Sequence, residues 1–263
     1  MDGDQNPWRG NWDQWRAAAR DGFEISNHTW SHQKVVGVRP DELEHQINDS
    51  YRLIKEKMGF APESFVFPLN ETDEDSIAYA QQHHFALRQA EIMSAMHLHT
   101  FMPVYGGERF SEPTANLLVD WALHQRMWVI PVCHGMVVKE IEKSYKPVTE
   151  ALLRGHLSYL KEKEEDVWVA TFLDVFSYLY ARKNAQIVVR KDLQSGKMLE
   201  LRRAPGARDV NVPLTLVINP RRNISKVNAQ TLKFKEKLSA KIKGGLVYID
   251  VPFEDRDIKV TWN

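Results

Sequence analysis

The sequence predicts a parallel α/β domain followed by a small all-β domain. From residue 12 to about 183, stretches with a helical period of 3.6 residues alternate with short apolar runs, as in helices packed on a mainly parallel sheet. After Asn184, short apolar-rich segments follow one another, separated by Gly, Pro, Asn and Lys, which is typical of β-structure. We therefore place a domain boundary near residue 184, with 1–183 as the first domain and 184–263 as the second.

The elements of the first half follow from apolar periodicity and from the positions of Gly and Pro. We expect a helix over 12–19 closed by Gly22, a short strand over 23–26, and a helix that begins at Pro40 and ends at Gly59. A buried strand over 65–67 should end at Pro68. Residues 72–75 have the form of a capping box that opens another helix.

The second half is interpreted in the same way. A helix over 113–126 is expected to turn Leu117, Leu118, Trp121 and Ala122 inward, and 128–133 is the strongest strand signal, although Pro131 fits a central strand poorly. Helices near 148–162 and 171–183 should enclose a strand over 167–169. The β-domain strands are expected at 186–190, 198–202, 213–218, 246–249 and 258–261.

Composition excludes several classes of protein. The 263 residues include 35 Lys and Arg against 35 Asp and Glu, so net charge favours neither nucleic acid nor an anionic membrane as partner. No apolar run approaches the roughly 20 residues of a membrane span, and the first residues lack the pattern of a secretory signal. Cys133 is the single cysteine, which we interpret as a buried small hydrophobe. Any metal must therefore be held by His and carboxylate.

His28 and His32 form the candidate metal site. A spacing of four residues lets two imidazoles approach one ion at roughly 2.0–2.1 Å. With ten histidines in the chain, the spacing alone is weak, but this pair follows a predicted strand. The pair also stands among Asn27, Thr29 and Ser31, polar residues able to orient metal ligands.

The run from Gly22 to His32, GFEISNHTWSH, resembles the second motif of the polysaccharide deacetylases, carbohydrate esterase family 4. In that family a Gly-x-Glu-x-x-Asn-His-Thr-x-x-His run supplies both metal histidines. The resemblance continues at 65–68, 132–135 and 167–175 and covers roughly residues 10–183. It implies a deformed (β/α) barrel that hydrolyses N- or O-acetyl groups on a polysaccharide or oligosaccharide with zinc or another divalent cation, and an exported protein, extracellular or periplasmic.

Three departures from the family pattern qualify that expectation. The opening Thr-Phe-Asp-Asp motif, which brings the third ligand and the catalytic base, has no counterpart in the 27 residues before His28, so we expect a fragment whose barrel lacks its first strand. The Arg-Pro-Pro-Tyr-Gly motif is replaced by residues 66–70; a backbone donor at Leu69 could still serve an oxyanion hole, and Arg88 could supply the missing positive charge. No Asp-x-x-Asp-Trp motif occurs between 85 and 130.

His134, after a predicted strand as in the family's Leu-x-His motif, is the candidate catalytic acid. We expect the other histidines to be structural: His83 and His84 at a solvated helix end, His97 and His99 in a strand, and His156 as a packing residue within a predicted helix. Trp8, Trp12 and Trp15 suit either a sugar platform or the core.

Two alternatives remain open. The chain could be a catalytically inactive, carbohydrate-binding relative of the deacetylases. A glycoside hydrolase is the second alternative, but it needs two carboxylates roughly 5–9.5 Å apart, and Glu71 with Asp73 is the one tempting pair.

Overall fold

The computed structural model describes residues 10–89, 100–107, 110–137 and 145–263. Contacts divide the chain into two compact units, Met1–Leu173 and Asp174–Asn263. This division comes before residue 184 because most of the last helix belongs to the second unit, where Ala181 is buried in the β core. Among the described residues, no helix has the length and apolar character needed to cross a bilayer.

The described helices and strands are as follows. The α-helices are α1 Trp12–Arg20, α2 Pro40–Leu43, α3 Ser50–Met58, α4 Glu74–Gln81, α5 Glu112–Gln125, α6 Glu150–Glu162 and α7 Phe172–Lys183. The strands are β1 Ser64–Val66, β2 Ala86–Arg88, β3 Thr100–Phe101, β4 Val104–Tyr105, β5 Trp128–Val129, β6 Val132–Cys133, β7 Ala185–Leu193, β8 Gly196–Arg203, β9 Leu214–Ile218, β10 Val227–Thr231, β11 Ala240–Lys243, β12 Leu246–Val251 and β13 Arg256–Trp262.

The first unit contains short parallel strand pairs flanked by helices. Asn27 forms a parallel bridge with Phe65 in β1, and β1 pairs in parallel with β2, with Val66 opposite Arg88. Strands β3 and β5 form a second parallel pair, and β4 and β6 form a third. The described strands thus form separate small sheets of mixed α/β structure, and a closed barrel is not seen among them. The core beneath β1 contains Val35, Leu43, Ile47, Phe65, Phe67, Ala80 and Leu87.

Local sequence accounts for most of the helix boundaries. Asn11 caps α1, and Asp73 caps α4 in a capping box with Ser76, one residue later than the sequence pattern indicates. The helix predicted from Pro40 to Gly59 is present, and Gly59 ends it with a φ of 81°. Its centre, Glu44–Asp49, is a π-helix. The apolar period does not predict this segment, since π-helical turns are rare and short interruptions of α-helices.

The second unit has two antiparallel sheets that enclose one core, as in a β-sandwich. The strand orders are β10-β13-β8-β7 and β11-β12-β9. Alternate residues of facing strands are buried together, among them Leu199, Leu201, Val247, Ile249, Ile258 and Val260. The predicted all-β character of this region is confirmed, although the sequence pattern missed β10 and β11.

Several element predictions are wrong in detail. Residues 23–26 and 167–169 are not strands; a single bridge at Asn27 follows the first of them. Pro131 divides the predicted strand over 128–133 into β5 and β6, because proline cannot donate to a ladder. Leu117 and Trp121 are 66% and 42% exposed, since α5 turns Ala115 and Val119 inward instead.

Candidate functional site

The histidine loop, residues 28–32, follows the point where Asn27 pairs with β1. The rings of His28 and His32 lie edge to face, with centroids 4.7 Å apart. The loop is a tight turn and not a helix: Thr29 and His32 have φ values of 71° and 59°, and the His32 N–H donates to Thr29 Oγ1 at 3.0 Å. Such left-handed backbone at non-glycine residues is costly and concentrates at functional sites.

The protonation of His28 is set by a backbone carbonyl. His28 Nδ1 lies 2.7 Å from the carbonyl oxygen of Val66, and because a carbonyl oxygen only accepts, Nδ1 carries the hydrogen. In the neutral ring Nε2 then keeps its lone pair, which is the form that binds a metal. Val66 is the last residue of β1, so the strand end itself orients the imidazole.

Asn27 anchors the loop from below. Its side chain is fully buried and makes four hydrogen bonds: the amide donates to the Ile47 carbonyl at 3.0 Å and faces His84 Nε2 at 3.1 Å. Its carbonyl oxygen accepts from the Thr29 N–H at 3.1 Å and from Ser50 Oγ at 2.7 Å. The residue next to His28 therefore has every polar atom satisfied.

The π-helical segment Glu44–Asp49 supplies carbonyl groups to the same loop. The Trp30 N–H donates to the carbonyl of Gln46 at 2.9 Å, while the carbonyl of Ile47 takes the Asn27 amide. The side chain of Gln46 adds hydrogen bonds to the backbone and hydroxyl of Ser31 at 3.1 and 2.8 Å. Because a π-helical turn breaks the regular i to i−4 pattern, it can offer carbonyls to a neighbouring chain segment.

His84 was expected at a solvated helix end, and that expectation is wrong. Its neighbour His83 is exposed and stacks on Tyr51, but His84 is only 4% exposed. His84 Nδ1 donates to the carbonyl of Ala80 at 2.8 Å, so Nε2 is left to accept from Asn27. Burial is the main cause that lowers the pKa of His84 to about 4, and the ring stays neutral near neutral pH.

Electrostatics connect His28 with three other residues. Burial is the largest cause that lowers the pKa of His28; the hydrogen bond to Val66 opposes it, and the charges of His32, Arg88 and His134 lower it further. The charges of three predicted site residues, His32, Arg88 and His134, thus lower the pKa of a fourth, His28. A lowered pKa keeps the His28 ring neutral, as metal binding requires.

Arg88 lies at the end of β2, and Leu69 lies in the turn that follows β1. Arg88 ends β2 beside Val66; burial lowers the pKa of its guanidinium, and its Nε is buried without a hydrogen-bond partner among the described residues. Leu69 lies in the 3₁₀ turn Pro68–Asn70, with a φ of 57° and a side chain that is 66% exposed. An unpaired guanidinium nitrogen is expensive, so this group is suited to receive an anion.

His134 follows β6 and is exposed, and its ring meets that of Tyr145 edge to face at 5.1 Å. Cys133 beside it is exposed, so the expectation of a buried cysteine is wrong. The reason is that β6 is only two residues long and pairs with β4 alone. His156 is 4% exposed and its Nδ1 pairs with Asn116 Oδ1 at 2.9 Å, which confirms a packing role.

The donor set fits a metal ion in part. His28 and His32 offer two imidazoles at close range, whereas a catalytic zinc ion usually takes three protein ligands. Across 10–89, 100–107, 110–137 and 145–263, no three His, Cys, Asp or Glu side chains are grouped to hold an ion. His97, His99 and Trp8 lie outside the described residues.

Sequence reasoning missed the residues that support the loop. Gln46, Ser50 and His84 are 14 to 52 residues beyond the loop's last position, and no spacing rule connects them with it. The one available signal was a pair of polar residues, Gln46 and Ser50, one helical turn apart in the helix predicted from Pro40 to Gly59. Both side chains are buried. Buried polar groups require partners, and those partners are the histidine loop and Asn27.

Solved structures give weak matches. The Bc1960 peptidoglycan N-acetylglucosamine deacetylase is 18% identical, with 61% of this chain and 66% of that chain covered and a TM-score of 0.38. A Mycobacterium smegmatis protein assigned as a polysaccharide deacetylase is 16% identical, with 69% and 72% covered and a TM-score of 0.43. The α-fucosidase of Thermotoga maritima is 13% identical, with 97% and 69% covered and a TM-score of 0.34. These scores are too low to support an argument about activity.

Sequence relatives are more informative for the N-terminal third. A gellan lyase from Bacillus sp. is 25% identical over 207 residues, which are 68% of this chain and 8% of that protein, so this chain spans a small part of the relative's length. Residues 4–87 match the family model described as polysaccharide deacetylase. That stretch contains the histidine loop, β1 and most of β2. The residues that match the polysaccharide deacetylase model therefore include both His28 and His32.

Proposed function

We propose that the chain takes part in metal-dependent hydrolysis of N- or O-acetyl groups on a polysaccharide. The observation that carries the proposal is the His28 ring, whose Nδ1 is bonded to the Val66 carbonyl so that Nε2 keeps its lone pair, with the His32 ring 4.7 Å away. The family match over 4–87 includes both histidines. That match supports a role in deacetylation.

His28 and His32 would hold a divalent cation, for which zinc suits imidazole ligands. When bound, such a cation polarises the acetyl carbonyl and makes water a stronger nucleophile. The chain's part is to keep the His28 ring neutral and to hold the two rings close together. Burial and the charges of Arg88 and His134 favour neutral His28, and the hydrogen bond to Val66 fixes its orientation.

Three further residues are assigned roles in the same reaction. His134 would donate the proton to the leaving nitrogen or sugar oxygen, which is general acid catalysis. The backbone N–H of Leu69 would donate to the oxyanion, a role that depends on the turn and not on the side chain. Arg88 would stabilise negative charge near His28, since its Nε has no partner among the described residues. Arg88→Ala with unchanged activity would dismiss the last role.

The fold and location follow from the same family assignment. We infer that the first unit is part of a deformed (β/α) barrel, supported by the parallel pairing of Asn27, β1 and β2. We also infer that the protein acts outside the cytoplasm, where polysaccharide substrates are found.

The test is acetate release from acetylated chito-oligosaccharides and acetylated xylan, with zinc added and with a chelator. We expect release that requires His28, His32 and His134 and that the chelator stops. Metal binding without acetate release would favour the inactive carbohydrate-binding relative, and cleavage of the sugar chain itself would favour a glycoside hydrolase.

A further inference from the structure

A groove of about 790 Å³ lies in the second unit, lined by residues of β7, β8 and β9 and by the segment 219–222. Its volume lies within the roughly 300–1,000 Å³ that is usual for small-molecule sites. Strand β7 is the edge of the four-stranded sheet and β9 is the edge of the three-stranded sheet. The groove is therefore the open side of the two-sheet core.

The wall of the groove on β7 is apolar and exposed. Ile187 and Val189 pair with Leu201 and Leu199, both buried, so their side chains point to the inner face of the sheet. They are nevertheless 41% and 51% exposed, because the second sheet has one strand fewer and does not cover β7. Residues that face a core but remain open to solvent mark a place where a partner can bind.

The rim of the groove is positively charged. Lys197 is paired with Asp192, so those charges cancel. Arg221 and Arg222 are exposed and form no ion pair within the described part of the chain. Arg222 donates to Ser195 Oγ at 2.8 Å, which ties it to the turn between β7 and β8. Two guanidinium groups beside an apolar wall are complementary to a ligand with carboxylates and apolar faces.

An added peptide strand fits this groove poorly. Strand β7 has an irregular register between Val189 and Lys191, and such a bulge together with charged residues on an edge hinders strand addition. On the other side, β9 spans only five residues, with Pro213 before it and Pro220 two residues after it. The edges thus offer little continuous ladder, whereas the apolar wall and the arginines remain available.

We propose that this groove binds an acidic polysaccharide, with uronate carboxylates on Arg221 and Arg222 and sugar C–H faces on Ile187 and Val189. The choice of a sugar chain rests on the proposed function; the charge and the apolar wall are independent of it. The second unit would then hold an anionic polymer for the acetyl-removing unit.

The test uses the full chain and isothermal titration calorimetry at low salt. Three probes are compared: oligogalacturonate, the same oligosaccharide with its carboxylates methyl-esterified, and a glutamate peptide of equal charge. The variant R221A/R222A is matched by K226A/K241A, which removes two exposed positive charges of the same unit outside the groove. Thermal melting confirms that both variants fold.

We expect oligogalacturonate to bind, and R221A/R222A to weaken it by about tenfold or more, since two charge-assisted contacts are lost. The control variant should stay within about twofold, because exposed charges away from the ligand contribute little. The neutral ester and the peptide should bind at least about tenfold more weakly than the uronate chain.

The inference is overturned if no uronate binding is found, if both double variants lose affinity equally, or if the ester or the peptide binds as well as the acid. Acetate release is measured on the same samples. Binding without acetate release leaves this inference standing and counts against the proposed function. Acetate release without binding at the groove does the reverse.

Discussion

His28 Nδ1 donates to the backbone carbonyl oxygen of Val66 at 2.7 Å, so the end of strand β1 selects the tautomer of the candidate metal ligand. A side-chain acceptor could be lost by mutation, whereas the backbone carbonyl of Val66 is present whatever residue stands there. The relationship depends on two segments 38 residues apart that are brought together by the Asn27–Phe65 bridge. The ring is therefore prepared for a cation before any cation binds.

Replacing either histidine of the loop should remove the metal. We expect His28→Ala and His32→Ala to reduce bound Zn²⁺ to background, because the one imidazole that remains is too few ligands to retain the ion. The measurement is metal content after equilibrium dialysis. His83→Ala, an exposed histidine outside the loop, is the control and should bind as the parent does. Unchanged zinc content in both loop variants would refute the assignment.

Asn27→Ala should destabilise the first unit. The substitution deletes four buried hydrogen bonds and leaves His84 Nε2 and the Thr29 N–H without the partner that Asn27 provides, which we expect to cost about 2–4 kcal/mol of unfolding free energy. Urea denaturation measures it. Gln81→Ala, an exposed polar residue on α4, should change stability by no more than about 0.5 kcal/mol. Equal effects of the two substitutions would contradict the role of Asn27.

His84 should make folding sensitive to acid. Its pKa is about 4 in the folded chain, against about 6.5 when unfolded. Between those values the unfolded chain takes up a proton that the folded chain does not, so the unfolding free energy falls as pH decreases, by about 3 kcal/mol in all. Above pH 6.5 this contribution is complete.

The comparison is between the parent chain and His84→Gln, with unfolding free energy measured from pH 7.5 to 4. The glutamine does not titrate, so its curve should be flatter by about that amount. His83→Gln, at the exposed neighbour, should retain the parent's pH dependence. Parallel curves of unfolding free energy against pH for the parent and His84→Gln would show that His84 is not buried in its neutral form.

Arg88→Met should raise the pKa of His28. The positive charge of Arg88 is one of the causes that lower it, and an uncharged side chain of similar length removes that repulsion. NMR titration of the metal-free chain measures the shift directly. Arg39→Met removes an exposed arginine that is paired with Asp41 and should leave His28 unchanged. A fall in the pKa of His28 would reverse the sign of the argument.

Local sequence determined much of the secondary structure. Helix α1 follows from its apolar period and its Asn11 cap, α3 ends where Gly59 permits a positive φ, and the β character of the second unit follows from short apolar segments. The histidine motif was also visible, because its residues are contiguous. Each of these features depends on neighbours within about one helical turn or one strand.

Only the tertiary structure decided how the site is supported and where the open groove lies. The tautomer of His28, the neutral state of His84 and the π-helical carbonyls that bind the loop depend on partners 15 to 57 residues away. The exposure of Ile187 and Val189 depends on the different number of strands in two sheets. Such effects arise from burial and from which groups meet in space, and a linear pattern contains neither.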